Sequence, residues 1–425
     1  MKAPLSLIGY RLLTALGTPL AGPFLSMRLK RGKEDPIRIG ERRGQPERAR
    51  PTGRLVWLHG ASVGEAVSLL PFVERITRTG ASALVTTGTV TSAALLAQRL
   101  PPGALHQYAP LDSPFFLRRF LAHWRPDAAL FAESELWPNM IVEAKRAGPP
   151  LAIINGRMSE RSFNRWRKAP RFIGALLGRF DICLARSEDD GERLLTLGAP
   201  NVLVAGDIKF DAPALPADRC ELAELSGLTS GRQIWIAAST HAGEERMAAE
   251  AHKRLIEVFP DALTLIAPRH PERGEEILRE LEAQGLACAL RSRGARPGQG
   301  TAVYICDTIG ELGLFYRLAG VVFVGKSFVG GGGQNPIEPA RLASAILHGP
   351  MVGNFRDAYA ALDEAGGALE IGRPEDLGET LVALFANTAR LRAIARAAGD
   401  TVERRAGAVE RSMRALAPLL PGPAP

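Results

Sequence analysis

Short apolar runs alternate with longer, helix-compatible stretches along most of this 425-residue chain. Each run has the length of a strand, and the stretch that follows has room for a helix. This alternation is typical of parallel α/β sheets covered by helices. The predicted strands are 55–59, 83–87, 128–133, 151–155, 181–185 and 202–206 in the first half, and 234–239, 263–268, 303–307, 321–325 and 345–349 in the second.

A proline-rich stretch, DAPALPAD (211–218), separates the two series of strands. It predicts a linker between two doubly wound domains, at 41–212 and 213–425, preceded by a distinct segment at 1–40. The region from about residue 374 to 420 is rich in Ala, Leu and Arg and is expected to be helical. In such folds ligands bind beyond the carboxyl ends of the strands. Functional side chains are therefore expected directly after the apolar runs.

The net charge of +8 comes from one end of the chain. Residues 1–54 contain 12 basic and four acidic residues, which leaves 41 of each among the other 371. A body that is neutral overall is a poor candidate for binding nucleic acid. The four cysteines are scattered and show neither metal-ligand nor disulfide-framework spacing, so neither kind of site is expected.

The amino-terminal segment contains 16 consecutive uncharged residues at 12–27, followed directly by the basic run RLKRGK. Pro19 and Pro23 interrupt it, and a straight membrane span needs about 20 apolar residues. A short apolar membrane anchor, interfacial or marginally spanning, is the favoured interpretation. A buried amino-terminal helix and a cleaved signal peptide are the alternatives. The basic run favours the cytoplasmic side of a membrane.

Candidate catalytic residues follow three strands of the first half. Glu65 lies in GASVGE, where it is either an acid at the start of a helix or a general base for a sugar hydroxyl. Glu135 lies in ESELWP beside a tryptophan that could stack on a sugar. Lys209, in GDIKFD, is either a solvated loop lysine or a cation for phosphate or carboxylate.

Candidate anion ligands follow the strands of the second half. Arg269 lies in APRHPER, and a guanidinium matches phosphate oxygens well. Four glycines, 330–333, lead into the sequence QNPIEPA. This segment predicts a helix start, with Asn335 as N-cap, Pro336 at the first helical position and Glu338 in the first turn. The glycine loop is also expected to offer free backbone N–H groups to an anion.

Together these motifs resemble one known family. WLHGASVGE, TTGTVTS, FAESELWPN, INGRMSERSF, GDIKFD, APRHPER, DTIGELGLFY and GGGGQNPIEPA occur in the order found in the 3-deoxy-D-manno-octulosonic acid (Kdo) transferases of bacterial lipopolysaccharide synthesis. The resemblance implies the glycosyltransferase-B fold, with two Rossmann-like domains facing a cleft. It also implies inverting, metal-independent transfer of Kdo from CMP-Kdo to a lipid A precursor, lipid IVA, without a cofactor.

Matched motif by motif, the resemblance gives Glu65 the role of general base, and gives Glu135 and Lys209 that of supporting the transition state. Gln334 and Lys326 depart from it, since many members have His and Gly at these positions. Gln334 is therefore a less certain nucleotide ligand. The implied CMP-binding residues are Pro268, Arg269, Gly310, Glu311, Leu312, Asn335, Pro336, Ile337 and Glu338.

The resemblance places the chain on the cytoplasmic side of the inner membrane, where the basic segment would meet an anionic surface. The first half would bind the lipid acceptor and the second half CMP-Kdo. Two other functions are compatible with parts of the pattern. A nucleotide-sugar epimerase can share the two-domain architecture but does not need a basic, apolar amino terminus. A non-catalytic membrane-surface scaffold would explain that terminus but not the charged residues after successive strands.

Overall fold

The computed structural model describes residues 3–420, which divide into two compact units. The first unit contains the residues up to Asp211 and those from Ala406 onward, and the second unit comprises Ala212–Arg405.

The first unit is built on a seven-stranded sheet in which every strand pair is parallel, in the order β3-β2-β1-β4-β5-β6-β7. The direction of winding reverses between β1 and β4, and ligands bind at such a switch point in doubly wound folds. The strands are β1 Leu55–His59, β2 Ser82–Thr87, β3 Ala104–Tyr108, β4 Ala128–Ala132, β5 Leu151–Gly156, β6 Ile182–Ala185 and β7 Val202–Val204.

Helices cover both faces of this sheet, and all residues of β1, β4 and β5 are buried. Strands covered on both faces have no solvent side, which explains their continuous apolar runs. The helices are α1 Leu5–Leu16, α2 Ala21–Lys30, α3 Val63–Arg78, α4 Val90–Arg99, α5 Pro114–Trp124, α6 Pro138–Ala147, α7 Glu160–Trp166, α8 Pro170–Leu177 and α9 Glu188–Thr196.

The second unit contains a second parallel seven-stranded sheet, ordered β10-β11-β9-β8-β12-β13-β14, with its switch point between β8 and β12. Its strands are β8 Ile234–Thr240, β9 Leu263–Pro268, β10 Cys288–Leu290, β11 Val303–Ile305, β12 Val321–Val324, β13 Ala345–His348 and β14 Ala368–Glu370. Its helices are α10 Arg219–Leu228, α11 Glu244–Ile256, α12 Gly274–Glu282, α13 Leu312–Leu318, α14 Ile337–Arg341, α15 Arg356–Glu364, α16 Asp376–Ala386 and α17 Thr388–Arg405.

The last helix, α18 (Ala408–Leu416), belongs to the first unit, which corrects the predicted second domain of 213–425. The carboxylate of Asp211 accepts hydrogen bonds from the backbone N–H groups of Gly407 and Val409, at the start of α18. Val409 and Leu416 are buried in the core of the first unit. The end of the chain is therefore fixed beside the segment that ends the first run of strands.

The amino-terminal segment forms two short helices, α1 and α2, joined by a 3-10 turn at Thr18–Leu20. None of the helices in the described part of the chain is both long and apolar enough to cross a membrane. Leu7 and Leu25 are fully buried in the first unit. The outer surface of the segment still carries exposed apolar side chains, which we call the apolar face: Leu5, Ile8, Leu12, Leu13, Leu16, Leu20, Phe24 and Met27.

Part of the basic segment is neutralised within the protein. Glu34 is buried and pairs with both Arg28 and Arg42. In contrast, three basic residues at the end of α2 and just after it are exposed and form no ion pair with any described residue: Lys30, Arg31 and Lys33. The unbalanced positive charge is therefore concentrated next to the apolar face along the chain.

Candidate active site

Glu65 lies in the first turn of α3, next to the switch point of the first sheet. Its Oε2 accepts hydrogen bonds from the backbone N–H groups of Ala61 (2.6 Å) and Ser62 (3.2 Å). The Ser62 hydroxyl accepts in return from the Glu65 N–H at 3.3 Å, which completes a capping box. The helix-start interpretation is thus correct. Oε1 of Glu65 makes no hydrogen bond with the described residues and is the atom available to a substrate.

Two further carboxylates follow β4. Glu135 is 18% exposed, and its Oε2 accepts a hydrogen bond from the indole N–H of Trp137 at 2.6 Å. Burial, followed by the nearby charge of Glu65, raises the pKa of Glu135 to about 7. Glu133 adopts a left-handed backbone (φ 52°), and burial raises its pKa as well. The apolar pattern places Glu133 at the end of the predicted strand 128–133, so the sequence gives no sign that it belongs to the site. Three carboxyl groups therefore meet at this edge of the sheet.

The cation predicted for this edge is also present. Lys209 lies on a 3-10 turn, Ile208–Asp211, and its charge acts on Glu133 to lower the carboxyl pKa, together with that of Arg157. Asn155, at the end of β5, accepts a hydrogen bond from the Ile208 N–H at 3.2 Å and so fixes the turn. The predicted residues Glu65, Glu135 and Lys209 therefore lie around one carboxylate cluster.

The second unit contains a pocket of about 230 Å³ at the carboxyl edge of its sheet. Pockets for drug-sized ligands usually enclose about 300–1,000 Å³, so this one fits part of a sugar nucleotide rather than the whole molecule. Five of the nine residues predicted to bind CMP line it: Arg269, Gly310, Leu312, Asn335 and Glu338. Five lining residues were not in that predicted set: Leu215, Ser239, Tyr316, Val324 and Gln334.

The other four predicted CMP ligands lie outside the pocket lining. Pro268, Pro336 and Ile337 are buried structural residues. Glu311 points its carboxylate to Arg291, with N···O distances of 2.6 and 3.1 Å. Glu311 could therefore contact a ligand only through its backbone while this ion pair persists.

Glu338 is the acidic residue in the pocket lining. Burial raises its pKa, while a hydrogen bond from Asn335 and the charge of Arg269 act in the opposite direction. The predicted helix start is shifted by one residue, since α14 begins at Ile337 with Pro336 as N-cap. Asn335 still caps it, because its Oδ1 accepts from the Ile337 N–H at 3.1 Å. The local sequence thus points Asn335 and Glu338 to the same side of the pocket wall.

The glycine loop, 330–333, matches its predicted role of offering free N–H groups only in part. All four glycines have positive φ, which explains why this residue type is required. However, the N–H groups of Gly332, Gly333 and Gln334 donate to carbonyl oxygens within the protein. These three groups are therefore not free to bind an anion, whereas the N–H groups of Gly330 and Gly331 form no hydrogen bond with the described residues.

A buried carboxylate that the sequence reasoning missed holds the strand ends of the second unit in place. Glu244 is 1% exposed and accepts hydrogen bonds from the N–H groups of His241, Lys326, Ser327 and Phe328 at 2.8–3.2 Å. Lys326 has a left-handed backbone (φ 60°), at the position where the resemblance expects Gly.

Two residues outside the pocket lining, Lys326 and His241, influence it through Gln334 and through each other. Burial lowers the pKa of His241, and the charge of Lys326 acts in the same direction. Gln334 lines the pocket, and its Nε2 lies 3.2 Å from Nε2 of His241. Among residues 3–420, no group of three or more His, Cys, Asp or Glu side chains is arranged to hold a metal ion.

Solved structures that cover most of this chain share its fold. Similar solved structures include a glycosyltransferase from Rickettsia africae (TM-score 0.58, 11% identity, 87% of this chain and 99% of that one). Another is the UDP-GlcNAc 2-epimerase from Neisseria meningitidis (TM-score 0.56, 13% identity, 85% of this chain and 100% of that one). At these identities the likeness establishes the fold and does not distinguish transferases from epimerases.

Sequence comparison makes that distinction. Residues 37–212 match the family model of the 3-deoxy-D-manno-octulosonic-acid transferases. A probable mitochondrial 3-deoxy-D-manno-octulosonic acid transferase from Arabidopsis thaliana is 34% identical over 93% of this chain and 91% of its own length. The 3-deoxy-D-manno-octulosonic acid transferase from Haemophilus influenzae is 31% identical over 97% and 98%. The chain belongs to the Kdo transferase family and is a glycosyltransferase.

Proposed function

We propose that this enzyme transfers Kdo from CMP-Kdo to the lipid A precursor lipid IVA, with inversion at the sugar and without a metal ion. The observation that carries the proposal is the near full-length similarity to Kdo transferases, at 31–34% identity. The two units supply what such a reaction needs: a carboxylate cluster in the first and a pocket that contains Arg269 in the second.

In the first unit, Glu65 is the general base. Its Oε1 takes the proton of the acceptor hydroxyl while Oε2 stays bound to the start of α3, which keeps the carboxylate oriented. Glu135 and Lys209 support the transition state around the reacting sugar. A carboxyl group with a pKa of about 7 can change its protonation at neutral pH, and a cation stabilises the negative charge of the Kdo carboxylate.

In the second unit, the 230 Å³ pocket holds the CMP portion of the donor. Arg269 binds the phosphate, because a guanidinium donates in a geometry that matches phosphate oxygens. Asn335 and Glu338 bind the ribose hydroxyls, and the Gly310–Leu312 backbone meets the base. Leaving-group charge is stabilised here by cationic side chains.

The apolar face of α1 and α2 rests in the cytoplasmic surface of the inner membrane, where the acyl chains of the acceptor lie. Leu5, Leu13 and Leu16 are 72–86% exposed, and such side chains gain free energy on leaving water. Lys30, Arg31 and Lys33 then face anionic headgroups, at roughly 1 kcal/mol each.

The test is transfer of labelled Kdo from CMP-Kdo to lipid IVA by the purified full chain in detergent, with and without EDTA. We expect product in both conditions. Absence of product from a folded sample would contradict the proposed donor and acceptor, and loss of product in EDTA would contradict metal independence. Incubation with UDP-GlcNAc is the parallel assay, in which epimerised product would favour the epimerase.

A further inference from the structure

His59, the last residue of β1, contains a buried nitrogen without a hydrogen-bond partner. The residue is 1% exposed, and its ring packs against Trp57 and Phe131. Nδ1 lies 2.9 Å from the hydroxyl of Thr86, whereas Nε2 forms no hydrogen bond with any described residue. The nearest carboxylate oxygen to Nε2 is Oε2 of Glu135, at 3.9 Å.

The hydroxyl of Thr86 offers a hydrogen-bond arrangement that places the proton of His59 on Nε2. The indole N–H of Trp57 donates to Thr86 Oγ1 at 2.8 Å, so the hydroxyl hydrogen must point elsewhere. It can reach His59 Nδ1 at 2.9 Å or the Leu58 carbonyl at 3.5 Å. When it points to His59, Nδ1 accepts and the proton of the neutral imidazole lies on Nε2. A buried N–H without an acceptor costs about 1–3 kcal/mol.

We propose that His59 is a positioning residue for Glu135, whose carboxylate it holds at the switch point through its Nε2–H group. Oε2 of Glu135 lies between this buried donor and the exposed indole N–H of Trp137. A small rotation of the Glu135 side chain closes the 3.9 Å gap when the carboxyl group ionises. The inference deepens the proposed function, since it rests on the role of Glu135 in transfer.

The charges around the pair keep His59 neutral while Glu135 titrates. Burial lowers the pKa of His59 to about 4; a hydrogen bond with the Thr86 backbone acts in the opposite direction, and the positive charge of Arg42 acts in the same direction as burial. Burial and the charges of Glu65 and Glu133 raise the pKa of Glu135 to about 7. Between these two values the imidazole is an uncharged donor. Its N–H group favours the ionised carboxylate, so removal of this group should raise the pKa of Glu135 further.

The test is a carbon-13 NMR titration of the glutamate carboxyl groups in the full chain, in which Glu135→Gln identifies the Glu135 signal. In His59→Phe, which keeps an aromatic ring, we expect the Glu135 pKa to rise by about one unit, a tenfold change in its ionisation constant. In His59→Gln, whose amide also carries N–H donors, we expect a return toward the wild-type value.

The matched control is His106→Phe. His106, on β3, is also buried and lies 2.9 Å from a threonine hydroxyl, that of Thr87, and we expect its replacement to leave the Glu135 pKa unchanged. Equal shifts in His59→Phe and His106→Phe would overturn the proposal. If His59→Phe does not fold, Thr86→Val replaces it. Loss of the Thr86 hydroxyl removes the hydrogen bond to Nδ1 that favours a proton on Nε2 of His59. We expect a smaller rise in the Glu135 pKa, and no rise would contradict the proposal.

The pH profile of Kdo transfer provides the second readout. We expect the apparent pKa that the profile shows for Glu135 to shift together with the NMR value in His59→Phe. In His106→Phe we expect this apparent pKa to stay unchanged. The NMR result does not depend on turnover, so failure of the proposed function leaves the positioning test intact. A profile that stays in place while the NMR value moves would contradict the proposed role of Glu135 in transfer and leave the positioning of Glu135 by His59 supported.

Discussion

In the first unit, the sheet edge beyond β1 and β4 carries Glu65, Glu133 and Glu135, whereas the second unit places Arg269 and Lys326 near its pocket. Both sheets are parallel, seven-stranded and reverse their winding once. The fold therefore determines where a ligand binds, and the residues that follow the strands determine the charge of the binding site. A carboxylate-rich edge suits deprotonation of an acceptor hydroxyl, and a guanidinium in the pocket suits an anionic donor.

Replacement of Glu65, the carboxylate assigned as the base, should distinguish the roles of the two units most clearly. We expect Glu65→Gln to lower the transfer rate by about 10²–10⁴-fold, the usual contribution of general-base catalysis, and to leave CMP affinity within a few-fold. Transfer kinetics and calorimetric titration with CMP measure these effects. The control is Glu74→Gln, an exposed residue on the same helix. Retained turnover in Glu65→Gln would remove Glu65 as the base.

Loss of the Arg269 guanidinium should mainly weaken CMP binding rather than lower the transfer rate. We expect Arg269→Ala to weaken CMP binding about 10–100-fold, since hydrogen bonds to charged groups contribute about 1.5–3 kcal/mol. The KM for the acceptor should change little. Arg246→Ala is the control in the same unit, where Arg246 forms a surface ion pair with Glu280. Equal weakening of donor and acceptor binding would contradict the assignment of the pocket to CMP.

The apolar face of the first unit has no counterpart assigned in the second. We expect simultaneous Gln substitution of Leu12, Leu13 and Leu16 to weaken binding to phosphatidylglycerol-containing vesicles by about tenfold or more, because each leucine loses part of its roughly 2 kcal/mol of transfer free energy. Flotation measures the binding. Activity on a soluble, short-chain acceptor should remain. The control is Leu195→Gln, at an exposed site of α9. An equal loss of vesicle binding in this variant would contradict a specific role of the apolar face.

The smallest expected effect is on stability. The folded-state pKa of Glu135, about 7, lies above its ordinary value of 4.5, so the native state binds more protons between these values. Wild-type stability should fall as pH rises through this window. We expect Glu135→Gln to be more stable than wild type by about 1–2 kcal/mol at pH 8, after allowance for residual solvent contact, and to gain nothing at pH 4.

Urea unfolding at both pH values measures this difference. The control is Glu160→Gln, at an exposed site. We expect the difference in unfolding free energy between this variant and the wild type to be the same at both pH values. A wild-type-like pH dependence in Glu135→Gln would mean that another carboxyl group of the cluster titrates instead.

The sequence was most informative for the centre of each sheet. Strands β1 and β9 have the predicted bounds, because a strand covered on both faces must be apolar throughout. All three strands that the apolar pattern missed, β3, β10 and β14, lie at the edges of the sheets. They are short or partly polar, as edge strands can be where less of their surface is covered.

Site residues were predictable where a short motif follows a strand, as for Glu65 and Arg269. The rest depended on contacts between distant segments or on unusual backbone conformations. Glu244 binds N–H groups more than 80 residues away, and the role of His59 depends on Thr86 and Glu135. Glu133 and Ser239 reach their positions through positive φ, which neither residue type signals.

The most direct test of this division of roles is the rate of Kdo transfer to lipid IVA as a function of CMP-Kdo concentration, for the wild type, Glu65→Gln and Arg269→Ala. We predict transfer by the wild type and most of the wild-type plateau for Arg269→Ala at higher donor concentration. For Glu65→Gln we predict a plateau near zero. No product from folded wild type, or the same loss of plateau in both variants, would contradict the account.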